Sequence, residues 1–291
     1  MTAAVSTSVL TIVRGRDDHL RALMMGLSQQ SVPPGELVIA WMQAEKAEAL
    51  PVLSFPVYHV FVDGDDLPLA AARNRAAEAA SGLHLIFLDV DCIPSPTTVE
   101  AYTRALTLHD GVMLGEVHYL PGGLPRFDGD VAVLESHGLA HPSKPVFPPI
   151  GVAEEPDSGQ LWGLSFALRK ATWASLGGMD EDFYGYGGEE TDLARRASKA
   201  GLRTYRVGGA RAYHQHHAVH IPPLQHFDHI LRNASLYHAK HGVWCMDYWL
   251  TQFAERGLID WTSTAPEIRL LRRPLDRETD AARQPDHVLF S

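Results

Sequence analysis

The sequence predicts an α/β fold with a mostly parallel central sheet flanked by helices, and three observations predict it. Short apolar runs of strand length recur at 8–13, 36–41, 57–62 and 85–88. Helix-length stretches separate them, among them HLRALMMGLSQQ and the alanine-rich LPLAAARNRAAEAASG. Leu85 to Leu88 is continuously apolar, with Gly82 before it and Pro94-Ser95-Pro96 after it, which fits a strand covered on both faces. Strand and helix in alternation imply parallel pairing with right-handed crossovers.

Taken in order, Ser8 to Val13 makes the first strand. The polar loop Arg14 to Asp18 follows, and Asp17 or Asp18 is expected to cap the helix after it, since a carboxylate accepts from free N–H groups of a first turn. After Pro33-Pro34-Gly35, ELVIAW gives the second strand and VYHVFV the third. The alanine-rich helix leads into LIFLDVDC. Residues 121–160 are dense in proline, glycine and charge and read as long loops over the site edge, part of which is expected to contact substrate. SFALRK is a strand, ATWASLG a short helix ended by Gly177-Gly178, MDEDFYGYGG a loop, and EETDLARRASKAG a helix. YRVGGARAYHQHH supplies a further strand, and residues 224–250 read as one helix packed on the domain. Residues 266–291 carry an arginine-rich apolar patch and a polar tail, read as a solvated end, with contact to an anionic membrane as the alternative.

Composition narrows the function. The formal net charge of −10 argues against a nucleic-acid surface. Two cysteines without a C-x-x-C neighbour suit a reducing compartment. No basic, apolar leader opens the chain, and no apolar run approaches the roughly 20 residues that span a bilayer. A soluble, cytoplasmic protein that meets a membrane at most peripherally is expected.

The chemistry gathers at a few places. Asp89 and Asp91 stand at the carboxyl end of a buried strand, where α/β sheets bind ligands. Two carboxylates there repel and lose hydration unless something positive compensates them, and a divalent metal does so economically. The first strand is followed by no G-x-G-x-x-G, and no P-loop motif occurs, so a bound nucleotide needs another phosphate device, which the acidic pair with a cation supplies. His214 and His216 at alternating strand positions share a face, so that one reaches a cation held by Asp91; a three-histidine zinc site is the competing chemistry. Tyr184, Tyr186 and Trp162 offer flat apolar faces for sugar rings, although a tryptophan also serves as a core anchor. Glu189 and Glu190 begin a helix, where acids are favoured by the dipole alone.

These segments together resemble family 2-like glycosyltransferases of the GT-A fold. LAAARNRAAEAASGLHLIFLDVDCIP is similar to their helix and D-x-D strand, LGGMDEDFYGYGGEETDLARR to the G-G-[ED]-D helix start of the β-1,4-galactosyltransferase and chondroitin-polymerase groups, and AYHQHH to their metal-histidine segment. The resemblance spans roughly residues 6–255. It implies transfer from a nucleotide diphosphate sugar, most simply a UDP-sugar, to a carbohydrate or glycolipid-type acceptor by inverting displacement, with Mn²⁺ or Mg²⁺ as cofactor. On that analogy Glu190 is the base, where the family commonly has Asp. Glu189 and Asp192 hold the acceptor, with Trp162, Tyr184 and Tyr186 stacking on it. Thr11, Val13, Arg14, Arg73, Asp89 and Asp91 meet the donor, and Asp91 with His214, or else His216, holds the metal. Residues 1–120 form a donor half, 121–240 an acceptor and catalytic half, and 241–291 a carboxyl-terminal helix and tail of one continuous domain. Three rival readings remain: a retaining enzyme of the same fold, separated by the product's anomeric configuration; a sugar nucleotidyltransferase, which needs a glycine-rich basic loop where VRGRDD stands; and a non-catalytic sugar-binding module, excluded by metal-dependent hydrolysis of a nucleotide sugar.

Overall fold

The computed structural model describes residues 6–64 and 67–290. Its main sheet runs in the order β3-β2-β1-β4-β9-β6-β10-β5, built from β1 (Thr7–Val13), β2 (Glu36–Trp41), β3 (Val57–Phe61), β4 (His84–Leu88), β5 (Cys92–Pro94), β6 (Val112–Tyr119), β9 (Ser165–Arg169) and β10 (Thr204–His214). Two short strands join it, β7 (Leu139–Ala140) on β6 and β8 (Gly151–Glu155) on β10. β3, β2, β1 and β4 pair in parallel, as do β6 and β10. β9 lies antiparallel between β4 and β6, so the sheet is mostly parallel on one side and mixed on the other. The sequence reading of SFALRK as a strand is right, but its direction is invisible in its residues, because a buried strand is apolar in either orientation.

Every residue of β1, β2 and β4 is buried, which explains their unbroken hydrophobicity. One face packs against α1 (Asp17–Ser28) and α3 (Thr98–Leu108), through Leu20, Leu23, Leu27, Tyr102 and Leu106. The other packs against α2 (Leu69–Ala79), α5 (Lys170–Ser175) and α6 (Glu189–Lys199), through Ala72, Ala76, Trp173, Leu193 and Ala197. Alanines at the contact face of α2 let its backbone lie close to the sheet. On that same buried face stands Arg73, 4% exposed.

Several expectations change. α1 has Arg16 at its N-cap and no side-chain cap; Asp17 and Asp18 sit in its first turn, where Asp18 pairs with Arg21 and Arg126. The stretch 121–160 holds α4 (Val131–His137) as well as β7 and β8, short elements masked by the surrounding prolines and glycines. The expected single helix over 224–250 is two. α7 (Phe227–His241) ends at Gly242, whose φ of 70° is a left-handed C-cap, and α8 (Asp247–Glu255) starts after Met246, also at positive φ. The segment after 266 is solvent-exposed for most of its length, as expected, yet it is ordered: β12 (Arg269–Leu270) pairs with β11 (Ile259–Asp260), and α9 (Asp276–Ala282) follows. Three of its arginines pair with acids, Arg269 with Asp260, Arg272 with Glu278 and Arg273 with Asp228. Among the described residues no helix is long and apolar enough to cross a membrane.

Candidate active site and its relatives

The end of β4 is where the acids gather. Past Leu88 the chain turns, with Asp89 N–H donating to the Leu164 carbonyl at 2.9 Å and Cys92 N–H to the Asp89 carbonyl at 2.9 Å. β5 then runs antiparallel to the end of β10, with Cys92 opposite His214. That register carries His214 to Asp91, Nε2 to Oδ1 at 3.5 Å. Beyond the strand, Gln215 N–H donates to the Asp91 carbonyl at 2.7 Å, and the chain curls so that His217 Nε2 comes to 3.8 Å from Asp91 Oδ2. One ligand atom each from Asp91, His214 and His217 lies within 4.8 Å of the others. His217 therefore takes the place in which the sequence reading put His216: the strand stops at His214, and alternation no longer applies after it. The His216 carbonyl instead faces His19, Nε2 to O at 3.3 Å.

The electrostatics suit a cation. Burial and Arg16 hold the His217 imidazole down at about 4, and burial lowers His214 against the pull of Asp91, so both rings are neutral with a lone pair to offer near pH 7. Burial raises Asp91, but His214, Arg16 and His217 outweigh it and the carboxyl is held below its ordinary range. Arg16 donates to Asp91 Oδ2. Arg14, expected at the donor, lies exposed two residues before Arg16 in the same loop.

Arg73 ties the site together. Its guanidinium donates to Asp89 Oδ1 at 2.9 Å and to Glu189 Oε1 at 2.9 Å, joining the acid pair at the strand end to that at the start of α6. Burial disfavours its charge, yet Asp89, Glu189 and Glu190 more than restore it, and its pKa is raised. Asp89, half-buried, is pushed up to about 6 by burial, with Asp91 adding to the rise and Arg73 opposing it. Thr11 is buried beside Arg73 and Asp89, and its hydroxyl has no hydrogen-bond partner. Val13, expected at the donor, has its side chain in the core and its carbonyl accepting from Met42 N–H.

Glu190 follows in the first turn of α6. Its Oε2 and that of Glu189 are buried without a partner, and burial, then the neighbouring Glu189, push the Glu190 carboxyl well up. The left-handed glycines 187 and 188 deliver the chain into this helix. Asn233 on α7, fully buried, holds the glycine loop by donating from Nδ2 to the carbonyls of Tyr184, Tyr186 and Gly187, at 3.1, 3.3 and 2.7 Å. Tyr186 stacks on His226, centroids 4.2 Å apart, and burial followed by Glu190 raises its hydroxyl pKa. Tyr184 lies against Arg232. Trp162 has the Lys144 ammonium 3.4 Å from its ring centroid, so one face is already covered. Asp192, expected on the acceptor side, is 1% exposed and has both oxygens engaged, by Arg196 at 2.6 Å and His241 at 2.7 Å; it fastens α6 to α7. Arg16 and Asn233 escaped the sequence reading because they act through a turn and a distant helix, whereas His217 stood in the histidine cluster but was ranked behind His214 and His216.

Known proteins resemble the chain in one segment and in its fold. Residues 155–220, which contain Glu189, Glu190, His214 and His217, match the family described as the N-terminal domain of galactosyltransferase. Validoxylamine A glucosyltransferases from two Streptomyces hygroscopicus strains, subsp. jinggangensis and subsp. limoneus, are 28% identical over 170 residues, or 50% of this chain. That region is 39% and 36% of their lengths, so the match spans well under half of these relatives. Among solved structures, GalNAc-T7 with UDP, GalNAc and Mn²⁺ superposes with a TM-score of 0.56 at 14% identity, over 88% of this chain and 51% of that one. Staphylococcus aureus TarS (1–349) gives 0.53 at 14% identity, over 79% and 64%. The chain thus has a GT-A-like fold, and its 155–220 segment matches the family described as the N-terminal domain of galactosyltransferase.

Proposed function

We propose that this chain moves a glycosyl group from a nucleotide diphosphate sugar, a UDP-sugar by preference, to an acceptor hydroxyl with inversion at the anomeric carbon. The observation that carries the reading is the Arg73 bridge: one buried guanidinium sets the acids at the end of β4 and the acids at the start of α6 side by side. Residues 1–120 then form the donor half and 121–240 the acceptor half.

Asp91, His214 and His217 fit a divalent ion, since one carboxylate, with Arg16 on its Oδ2, and two neutral imidazoles converge. That donor set suits Mn²⁺ better than Mg²⁺, which prefers oxygen alone. Bound there, the ion would supply Lewis-acid stabilisation of a leaving diphosphate. Thr11 and Arg73 border the donor, and Arg16 adds positive charge beside Asp91. Glu190 takes the proton of the acceptor hydroxyl. A carboxylate whose pKa is raised toward the working pH is both ionisable and basic enough to do so. Tyr186, in the loop just before Glu190, faces the acceptor together with Trp162. A carbohydrate or a glycolipid head group is the acceptor this wall suits.

Mn²⁺ binding in the presence of UDP, followed by the loss of the free-ion EPR signal, tests the donor side. His217→Ala and Asp91→Asn are expected to weaken it by more than the roughly 10–100-fold that even outer-sphere partners are worth. His216→Ala should leave it unchanged. Equal losses at His216 and His217, or none at Asp91, would overturn the ligand set.

A further inference from the structure

One stretch of chain bounds the acceptor side of the site. Trp162, Gly163 and Leu164 pass directly by Glu190: a Cβ built on Gly163 would stand 3.8 Å from the Glu190 Cβ and 3.3 Å from Arg73 Nη2. Trp162, Tyr119, Lys144, Phe147 and Gln160 then line a partly open pocket whose inner part, about 20 Å³, has room for a water. It is equipped for a polar guest, because Gln160 Oε1 is buried there without a partner.

Phe290 stands against this wall. Its ring meets Tyr119 edge-on, with centroids 5.0 Å apart, and His141 at 4.5 Å. His141 in turn meets Trp162 at 4.8 Å, and Tyr119 meets His214 at 4.8 Å. One phenyl ring therefore backs both the cavity wall and an imidazole of the cation cluster. The segment that carries it is lightly tethered. Gln284 N–H donates to the Val219 carbonyl at 2.8 Å and Gly122 N–H to the Asp286 carbonyl at 3.0 Å, while Pro285, Asp286 and His287 are exposed. The strands behind the cavity, β6 and β9, are by contrast fixed in the main sheet. Few buried contacts and exposed main-chain bonds mark a segment that opens at small cost.

We infer that residues 284–290 are a strap with Phe290 as its plug, closed over the aromatic side of the cleft and lifting to admit the acceptor to Glu190. Its purpose rests on the glycosyl-transfer reading; its mechanics do not. The test is hydrogen exchange on the full chain and on Phe290→Ala, with UDP release from UDP-glucose measured alongside, using p-nitrophenyl β-D-glucoside as the acceptor probe. In the wild type, amides of 284–290 should exchange at least about 100-fold faster than those of β6, and Phe290→Ala should speed them about tenfold more while β6 is unchanged. UDP release should rise several-fold in the variant. Strap amides as protected as β6, no change in Phe290→Ala, or slower UDP release in the variant would each overturn the strap. Mn²⁺ with UDP should slow exchange near residues 88–92 in both proteins. Failure of that protection alone would count against the glycosyl-transfer reading and leave the strap standing.

Discussion

Replacing Glu190 by glutamine will lower glycosyl transfer about 10²–10⁴-fold, the usual worth of a positioned general base. UDP and Mn²⁺ will still bind, because Arg73 bonds to Glu189 and the cation cluster lies on other elements. The wild-type rate should climb with pH through the raised pKa of Glu190, above the ordinary glutamate range, as the basic form appears. The residual rate of the variant should lack that limb. Stability should move the opposite way. A carboxyl whose folded pKa exceeds its unfolded value holds its proton more tightly in the folded state, so wild-type stability falls as pH rises between the two values. Glu190→Gln, which never ionises, should therefore be more stable than wild type at pH 8 and close to it at pH 4. Initial rates across pH, titration calorimetry with UDP, and urea melts at both pH values check this. A variant that transfers normally, or that loses UDP binding along with transfer, would remove Glu190 from the role of base.

The second large effect is on folding. Arg73 is nearly inaccessible and is shared by Asp89 and Glu189, of which Glu189 is equally buried. Arg73→Met keeps most of the side chain's apolar volume but leaves these acids without their counter-charge. Removing one partner of a buried ion pair costs about 3–5 kcal/mol. Urea denaturation should show that loss, and Glu189→Gln placed in the Arg73→Met background should recover part of it, because the stranded charge is then gone. A loss below about 1 kcal/mol, typical of an exposed pair, would mean that Arg73 is far more hydrated than its surroundings indicate.

Much of this arrangement was legible in the residues. Leu85 to Leu88 reads as a doubly covered strand, and the structure buries all of it. The clash of burial and charge at Asp89 and Asp91 pointed to the sheet edge where positive groups converge. Arg73 could be placed on a helix before that strand, but its double partnership could not, because Glu189 is 116 positions away. The antiparallel setting of β9 was hidden since direction leaves no mark on a buried apolar run. His217 was seen in the cluster but ranked below His216 for a geometric reason: periodicity ranks residues within an element, and this one acts from the turn after it. Asp192 looked like one acid among three at a helix start, and only tertiary contact with His241 shows it to be a fastening.

Asn233 has a wider consequence. A single amide, rooted in a helix 43 residues past Glu190, fixes the three carbonyls that steer the chain into α6. Phe183, from the same loop, and Tyr186 pack with Phe227, Ile230 and Phe253 of the later helices. The region after 224 is thus no detachable appendage but the mould in which the base's approach is cast, and a shortened chain ending before Phe227 would keep its sheet while losing the shape of its reactive corner.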